Sequence, residues 1–193
     1  MTLIMACAAA YLLGSIPSGL LWGKAYGIDV RKEGSGNIGA TNLYRTVGRK
    51  VGVLTLLCDS LKGFIPVLAV KLSALPADHA AWVGLAAFCG HVFSLFLRFK
   101  GGKGVATALG VFLALSPLAV LIALGVFLGL VYKWRYISLG SICAAAVMPP
   151  AVSLLGGSRA MLLVTALIAV IVIVKHHENI KRLVAGTENK FKA

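Results

Sequence analysis

Three polar segments rich in hydrogen-bond donors interrupt an otherwise apolar chain. They are residues 34–42 (GSGNIGATN), 100–104 (KGGKG) and 175–179 (KHHEN), called here the first, second and third polar segments. Glycine leaves backbone N–H groups accessible, and Ser, Thr, Asn and Lys side chains add donors, so such segments suit phosphate binding. If the chain crosses a membrane so that all three emerge on one side, they can form a single site. The topology therefore decides the interpretation.

The first polar segment has many donors within a short stretch. If a short helix begins near residue 40, Thr41 and Arg45 lie four positions apart on one of its faces. The segment also fits G-x-G-x-x-G, but no hydrophobic strand precedes it, as a dinucleotide-binding fold would require. A flexible loop without a ligand is the alternative. We predict that the following residues bind substrate phosphate: Ser35, Gly36, Asn37, Thr41, Asn42 and Arg45.

The second polar segment differs from a P-loop at one decisive position. A P-loop requires Ser or Thr after its Gly-Lys pair, whereas Gly104 follows Lys103 here. Backbone amides at the start of a helix, together with a lysine, still suit an anion. A basic loop that only anchors the protein on lipid headgroups is the alternative, although anchoring needs charge and not glycine. We predict phosphate binding by four residues: Gly101, Gly102, Lys103 and Gly104.

The third polar segment begins where the last apolar run ends. If that helix continues, His176, Asn179 and Leu183 share one face, with Arg182 close by. We predict that His176 and Asn179 are catalytic, the alternative being a histidine at a solvated helix end. Ser141, near the start of the sixth apolar run, is predicted to add a hydroxyl to substrate binding, and a packing role is equally consistent with its position.

Polar residues inside the apolar runs have simpler explanations. Asp59 and Lys62 are close to one helical turn apart, which predicts a structural ion pair. His91 is predicted to be a hydrogen-bonded core histidine. The four cysteines are scattered singly without the spacing of metal ligands, so we expect no metal site and no cofactor.

The composition is that of an integral membrane protein. Of 193 residues, 59% are hydrophobic, and the mean hydropathy is +0.92, whereas soluble domains contain about 45–50% apolar residues. The formal net charge of +13 would suggest a nucleic-acid partner in a soluble protein. In a membrane protein it indicates cytoplasmic loops facing anionic headgroups and an anionic substrate, so we expect no nucleic acid.

Seven apolar runs predict an all-α polytopic bundle of about seven transmembrane helices, some of them short. A single span from residue 104 to 132 would be too long for ordinary tilt, and Ser116-Pro117 offers a break. With this break, 16 of the 19 Lys and Arg residues fall on one side, which predicts an external N-terminus and a cytoplasmic C-terminus. Residues 1–193 are predicted to form one membrane-embedded domain. The runs are 2–23, 51–72, 80–97, 104–116, 117–132, 136–156 and 160–174.

The chain resembles the bacterial membrane family of acyl-phosphate:glycerol-3-phosphate acyltransferases. The resemblance covers nearly the whole sequence in motifs that follow one another in order: LGSIP (13–17), GSGNIGATN (34–42), DxxKG (59–63), GHxF (90–93), FKGGKGVAT (99–107) and HxxNIxRLxxGxE (176–188). The family's seven-helix topology, with the N-terminus outside, agrees with the topology predicted from charge.

The resemblance implies the first acylation step of phospholipid biosynthesis at the bacterial inner membrane, with an active site facing the cytoplasm. The donor would be a fatty acyl phosphate and the acceptor the 1-hydroxyl of sn-glycerol 3-phosphate, giving lysophosphatidic acid and inorganic phosphate. Partners would be the lipid bilayer and, as an open question, the soluble phosphate acyltransferase that makes acyl phosphate. His176 would orient the hydroxyl or act as general base; in the first case a substrate phosphate oxygen takes the proton.

A small anion transporter or flippase is the alternative function. It would explain the basic segments and the broken helix, because transporters place the ends of half-helices at anions. It would also require polar residues at the bilayer midplane and internal repeats. This chain concentrates its donors towards one face and has no evident repeat.

Overall fold

The computed structural model describes residues 2–191, and within this range every regular element is a helix, with no strand. This confirms the predicted all-α class. A 3-10 turn, Leu95–Leu97, follows α5. The ten α-helices are α1 Leu3–Ser15, α2 Ser18–Ala25, α3 Ala40–Thr46, α4 Arg49–Lys71, α5 His79–Val92, α6 Val105–Leu115, α7 Pro117–Trp134, α8 Ile137–Leu154, α9 Arg159–Lys175 and α10 His177–Val184.

All seven predicted apolar runs correspond to helices. The first run covers α1 and α2, the third covers α5 and the 3-10 turn, and with these included the outer ends of all runs agree within two residues. Five of these are long and apolar enough to cross a membrane, and α9 with α10 would make a sixth bent span. The remaining helix, α6, has only 11 residues, in line with the short helix predicted there. The protein is thus an integral membrane protein with several spans.

The first run is interrupted, whereas the sequence pattern had suggested one continuous helix. Helix α1 ends at Ser15 and α2 begins at Ser18, because Pro17 cannot donate a backbone hydrogen bond. The break leaves carbonyl groups outside the helical ladder. Ser94 Oγ donates to Ser15 O at 2.6 Å and Lys62 Nζ donates to Ile16 O at 2.9 Å. Side chains from distant parts of the chain thus satisfy these acceptors.

The described chain divides into two compact units between Leu115 and Ser116, which is where the sequence predicted a break. In the first unit, helices approach closely through glycines. A Cβ atom on Gly63 would collide with the Thr107 carbonyl, and one on Gly110 with the Ser60 carbonyl. Small residues allow such close contact between membrane helices, where no hydrophobic effect drives association.

Chain direction alternates through α4, α5 and α6. Gly84, in the N-terminal half of α5, lies against Val67 of α4 and Val111 of α6. The N-terminal half of α5 therefore packs against the C-terminal half of α4. Towards the other end, His91 of α5 lies near Asp59 of α4, and Phe88 lies against Gly104 at the start of α6. This alternation is the one expected of three consecutive crossings.

The second unit consists of α7 to α10 and the tail that follows. Helices α7, α8 and α9 pack in chain order, and Gly140 of α8 lets the Phe127 ring of α7 approach closely. The chain bends by 56° between α9 and α10, at His176. The expectation that α9 continues straight through the third polar segment is therefore wrong: His176 closes α9 and precedes α10.

Candidate functional site

The first polar segment lies between α2 and α3 on a small apolar cluster. Ile38, within the segment, and Leu43, directly after it, are buried in this cluster together with Leu20, Val30 and Val51. Leu97, just before the second polar segment, packs against the same cluster. The first two predicted segments are thus neighbours within the first unit.

Asn42 fixes the backbone of the first segment. Its buried carboxamide accepts a hydrogen bond from Ser35 N at 2.9 Å and donates to Val30 O and Glu33 O, both at 3.1 Å. All of these bonds are to the loop itself. Asn42 therefore positions the exposed stretch that carries Ser35 and Gly36.

The remaining donors of this segment are arranged around the start of α3. Asn37 Oδ1 accepts a hydrogen bond from Gly39 N at 2.8 Å, which turns the chain into the helix. Because α3 begins at Ala40, Thr41 and Arg45 stand one turn apart, as predicted, with Thr41 half-buried and Arg45 exposed. The segment therefore has a rigid base and accessible polar groups above it.

The second polar segment is fixed on the end of α5 by its own backbone. Gly101 N donates to Val92 O and Gly102 N to His91 O, each at 3.2 Å. These two amides are therefore bonded to α5. A phosphate-binding loop made of bare amides would need them to point outwards, and they do not. What the glycines supply is space, since a Cβ on Gly101 would collide with the His91 carbonyl and one on Gly102 with its imidazole.

Lys103 lies half-buried between Gly102 and Gly104, two residues before α6 begins at Val105. Gly104 has φ +83°, a conformation that favours glycine, and a Cβ there would collide with the Phe88 ring. The backbone on both sides of Lys103 is thus held closely against α5. Lys103 therefore lies at the N-terminal end of a helix, where an anion is favoured.

A buried polar cluster supports this loop from below. Asp59 Oδ1 lies 2.9 Å from Lys62 Nζ, which confirms the predicted ion pair. His91 is buried as predicted, but its Nδ1 is 3.6 Å from Asp59 Oδ1, longer than a hydrogen bond. Thr107 Oγ1 is also buried, without a hydrogen-bond partner among the described residues. Because Gly102 packs directly on the His91 ring, the position of this ring limits how closely the second polar segment can approach α5.

In the second unit, His176 is buried at the bend between α9 and α10, with 3% of its surface exposed. Its Nδ1 lies 2.7 Å from Val172 O. A carbonyl oxygen only accepts hydrogen bonds, so Nδ1 must carry the proton, and in the neutral ring Nε2 then holds the lone pair. This tautomer gives Nε2 the capacity to accept a proton or a hydroxyl hydrogen bond.

Glu188, which was not among the predicted site residues, joins Asn179 of the third polar segment to Ser138 and Arg182. Its carboxylate accepts hydrogen bonds from Ser138 Oγ, Asn179 Nδ2 and Arg182 Nε, each at 2.7 Å. Partial burial opposes ionisation of Glu188, but these three bonds outweigh it and lower its pKa below the ordinary value. The signal was its place as the last acidic residue of the motif that ends the chain.

Ser141 is the last predicted site residue. Its hydroxyl donates to Ile137 O at 2.9 Å, a bond within α8, so the oxygen can serve a ligand only as an acceptor. Among the described residues, no cluster of His, Cys, Asp or Glu has the arrangement of a metal site.

The chain is similar to proteins of known class over its whole length. The glycerol-3-phosphate acyltransferase family model matches residues 4–186. The glycerol-3-phosphate acyltransferase of Trichlorobacter lovleyi is 71% identical over 96% of both chains, and that of Geobacter sulfurreducens is 60% identical over 96% of both chains.

Solved structures agree with the sequence relatives. The crystal structure of PlsY (YgiH), an integral membrane glycerol 3-phosphate acyltransferase, in its glycerol 3-phosphate form is 43% identical and superposes with a TM-score of 0.95 over 100% of this chain and 96% of that one. Its lysophosphatidic acid form gives a TM-score of 0.92 at 42% identity, with the same coverage. The chain therefore belongs to the glycerol-3-phosphate acyltransferase family and is an integral membrane acyltransferase.

Proposed function

We propose that the chain transfers a fatty acyl group from acyl phosphate to the 1-hydroxyl of sn-glycerol 3-phosphate, releasing lysophosphatidic acid and inorganic phosphate. The observation that carries this proposal is Lys103, held at the start of α6 by two glycines that pack on α5. The similar PlsY is known in glycerol 3-phosphate and lysophosphatidic acid forms, which supports the same acceptor and product here.

The donors of the first unit are assigned to substrate phosphate. Ser35, Gly36, Asn37, Thr41 and Arg45 supply hydroxyl, amide and guanidinium donors, and Lys103 supplies an ammonium group, with Asn42, Gly101, Gly102 and Gly104 fixing their backbone. Cationic groups that face a leaving phosphate stabilise the negative charge that it takes with it. The acyl phosphate is a mixed anhydride, so no covalent acyl-enzyme intermediate is needed.

In the second unit, His176 and Asn179 are proposed to orient the acceptor hydroxyl, with Ser141 as a nearby acceptor. The hydroxyl oxygen attacks the acyl carbonyl carbon, the bond from that carbon to the phosphate oxygen breaks, and the proton goes to a phosphate oxygen of the substrate. Nδ1 of His176 bonds to Val172 O, so Nε2 can hold the hydroxyl in line. The competing assignment makes Nε2 the general base.

The reaction is placed at the cytoplasmic face of the bacterial inner membrane. The support is the segregation of 16 of 19 basic side chains to the side that carries the three polar segments in the predicted topology. The soluble enzyme that produces acyl phosphate would deliver its product on that side.

A donor comparison tests the proposed function. Purified protein in lipid–detergent micelles receives labelled glycerol 3-phosphate with palmitoyl phosphate, palmitoyl-CoA or palmitoyl-acyl carrier protein. We expect lysophosphatidic acid only from palmitoyl phosphate, with one inorganic phosphate released per product. Lys103→Ala should lose about 30- to 1,000-fold in rate, equivalent to about 2–4 kcal/mol. Lys50→Ala, at an exposed position in the first turn of α4, should not. Comparable rates with palmitoyl-CoA would refute the donor assignment, and absence of product with any donor would favour a transporter.

The role of His176 is tested by comparing His176→Asn with His176→Ala between pH 5.5 and 9. If His176 only orients the hydroxyl, the Asn variant keeps far more activity, since its amide can still hydrogen-bond, and the fall in rate at low pH persists because substrate phosphate titrates near pH 6. Loss of that fall in both variants, with about 10²–10⁴-fold lower rates, would establish the general base instead.

A further inference from the structure

A cationic cleft includes Lys100, the first residue of the second polar segment, and none of the residues assigned to the reaction. It has a volume of about 440 Å³ and is lined by Arg31, Phe96, Leu97, Arg98 and Lys100. Three of these five side chains are cationic and the other two are apolar. A cavity of a few hundred cubic ångströms is large enough for a small ligand or a lipid headgroup.

The backbone that presents Arg98 and Lys100 is held in an uncommon conformation. Arg98 has φ +52° and Phe99 has φ +64°, values that non-glycine residues seldom adopt and rarely in succession. Hydrogen bonds from Phe99 N to Ser94 O at 2.8 Å and from Lys100 N to Leu97 O at 3.1 Å maintain this turn. Residues held in such strained conformations cluster at ligand-binding positions.

Arg31, which also lines the cleft, is held by a neighbouring carboxylate. Its Nε lies 2.9 Å from Asp29 Oδ1 and its Nη2 2.7 Å from Asp29 Oδ2. This bidentate pair orients the guanidinium and offsets one positive charge. With Arg98 and Lys100 added, the region keeps an excess of two positive charges, which calls for an anionic ligand.

The surroundings of the cleft are apolar and lie at the end of a membrane helix. Four large side chains next to the turn are exposed, with Phe96 and Phe99 each 59% exposed. The other two are Phe93 and Leu95. Aromatic side chains beside Arg and Lys at the end of an apolar helix are typical of the membrane interface, where acyl chains and phosphate groups meet.

We propose that this cleft binds an anionic phospholipid of the surrounding membrane. The headgroup phosphate would contact Arg98, Lys100 and Arg31, and an acyl chain would lie along Phe96 and Leu97. The recognised chemistry is a phosphate group carried on an apolar tail, which distinguishes the ligand from a free phosphate ion. The site is separate from Lys103 and does not depend on the acyl donor assigned above.

The test measures thermal stabilisation of the purified full-length protein in detergent. Phosphatidylglycerol, phosphatidylcholine with the same acyl chains, and inorganic phosphate are added separately. The cleft variant is Arg98→Asn/Lys100→Gln, because Asn tolerates the left-handed conformation of residue 98. The matched control is Lys24→Gln/Lys50→Gln, which removes two exposed charges of the same unit outside the cleft. A charge-retaining variant, Arg98→Lys/Lys100→Arg, reports on folding of the altered turn.

We expect phosphatidylglycerol to raise the unfolding temperature of the wild type, the control and the charge-retaining variant by several degrees, with phosphatidylcholine and phosphate having little effect. The cleft variant should lose at least half of this shift. If that variant does not fold, native mass spectrometry of the charge-retaining variant and the wild type should still show retained phosphatidylglycerol in preference to phosphatidylcholine. An unchanged shift in the cleft variant would overturn the proposal. So would a shift with inorganic phosphate equal to that with the lipid, which would assign the cleft to free phosphate.

Discussion

Asp59 in the first unit and Glu188 in the second are both acidic side chains with little exposure, at 2% and 5%. Asp59 Oδ1 forms an ion pair with Lys62 Nζ of the same helix at 2.9 Å. It also lies 3.6 Å from His91 Nδ1 of α5. Glu188 lies after the last helix and accepts three directional hydrogen bonds of 2.7 Å.

The two carboxylates interact differently because they contact different kinds of groups. Asp59 lies 3.6 Å from the imidazole against which Gly102 packs, so it touches the glycine loop only through packing and charge. Glu188 ties Asn179 and Arg182 of α10 to Ser138 of α8, so it fixes the direction of an amide through hydrogen bonds. Within a membrane helix, a buried carboxylate is neutralised by a lysine one turn along, whereas a helix end offers donors that can satisfy a carboxylate fully.

The largest expected effect comes from removing Asp59 alone. Asp59→Ala leaves the Lys62 ammonium buried without its carboxylate, which should cost about 3–5 kcal/mol of unfolding free energy. The double variant Asp59→Ala/Lys62→Met removes both charges and should recover most of this loss. Unfolding in mixed micelles with increasing sodium dodecyl sulfate measures both. Equal destabilisation of the single and double variants would show that the pair is held by packing and not by charge.

Gly102→Ala should have the next largest effect. The added methyl group meets the His91 imidazole, so the loop or the ring must move, at a cost of about 1–3 kcal/mol. Gly125→Ala is the matched control, because a Cβ at that helical position meets nothing within 4 Å. Thermal unfolding of the two variants should differ accordingly, and a neutral Gly102→Ala would mean that the second polar segment is not fixed by His91.

Glu188→Gln should cost about 1–2 kcal/mol. The amide oxygen can still accept from Asn179 and Ser138, which both bond to Oε1. The NH2 group that replaces Oε2 is a donor, as is Arg182 Nε, so the charge-assisted bond to Arg182 is lost. Glu178→Gln, on the exposed side of α10, removes the same charge and should change stability by less than about 0.5 kcal/mol. If both variants unfold at the same temperature, the bonds of Glu188 contribute no more than a surface ion pair.

The smallest effect is the pH dependence that Glu188 adds. Its pKa is lowered in the folded protein, so its contribution to stability is present above the unfolded-state pKa of about 4.3 and is lost as the pH falls through the lower folded-state value. The difference in unfolding temperature between wild type and Glu188→Gln should therefore be constant from pH 7 to 5.5 and should shrink below pH 4.5. A difference that grows on acidification would contradict the assigned shift.

The membrane helices were predictable because apolar runs and a proline carry local signals. Ser116-Pro117 ended α6, and Pro17 broke the first run for the same reason, although only the former was recognised from the sequence. The pair of Asp59 and Lys62 was predictable because both lie on one helix, three positions apart.

The contacts that position the candidate site residues were not predictable in the same way. Ser138 and Glu188 are 50 residues apart, and no periodicity relates two such positions. Likewise, Asn42 looked like a ligand donor because Asn is common at binding loops, and only the fold shows that its carboxamide holds residues 30–35. The engagement of the Gly101 and Gly102 amides by α5 is also a tertiary contact. Residue type indicated phosphate chemistry, but the fold decides which atoms are available for it.

The central claim is that the contact of Gly102 with His91 and the bonds of Glu188 position two motifs with different tasks, and steady-state kinetics test it most directly. Gly102→Ala and Glu188→Gln are assayed with varied acyl phosphate and glycerol 3-phosphate, with rates normalised to folded protein. We expect Gly102→Ala to raise KM for at least one phosphorylated substrate by about tenfold with kcat within about threefold, because the loop binds phosphate before and during reaction. Glu188→Gln should instead lower kcat with KM nearly unchanged, since Asn179 orients the hydroxyl for attack. If neither variant changes KM or kcat once rates are normalised to folded protein, the two contacts serve folding alone and do not position the motifs for separate tasks.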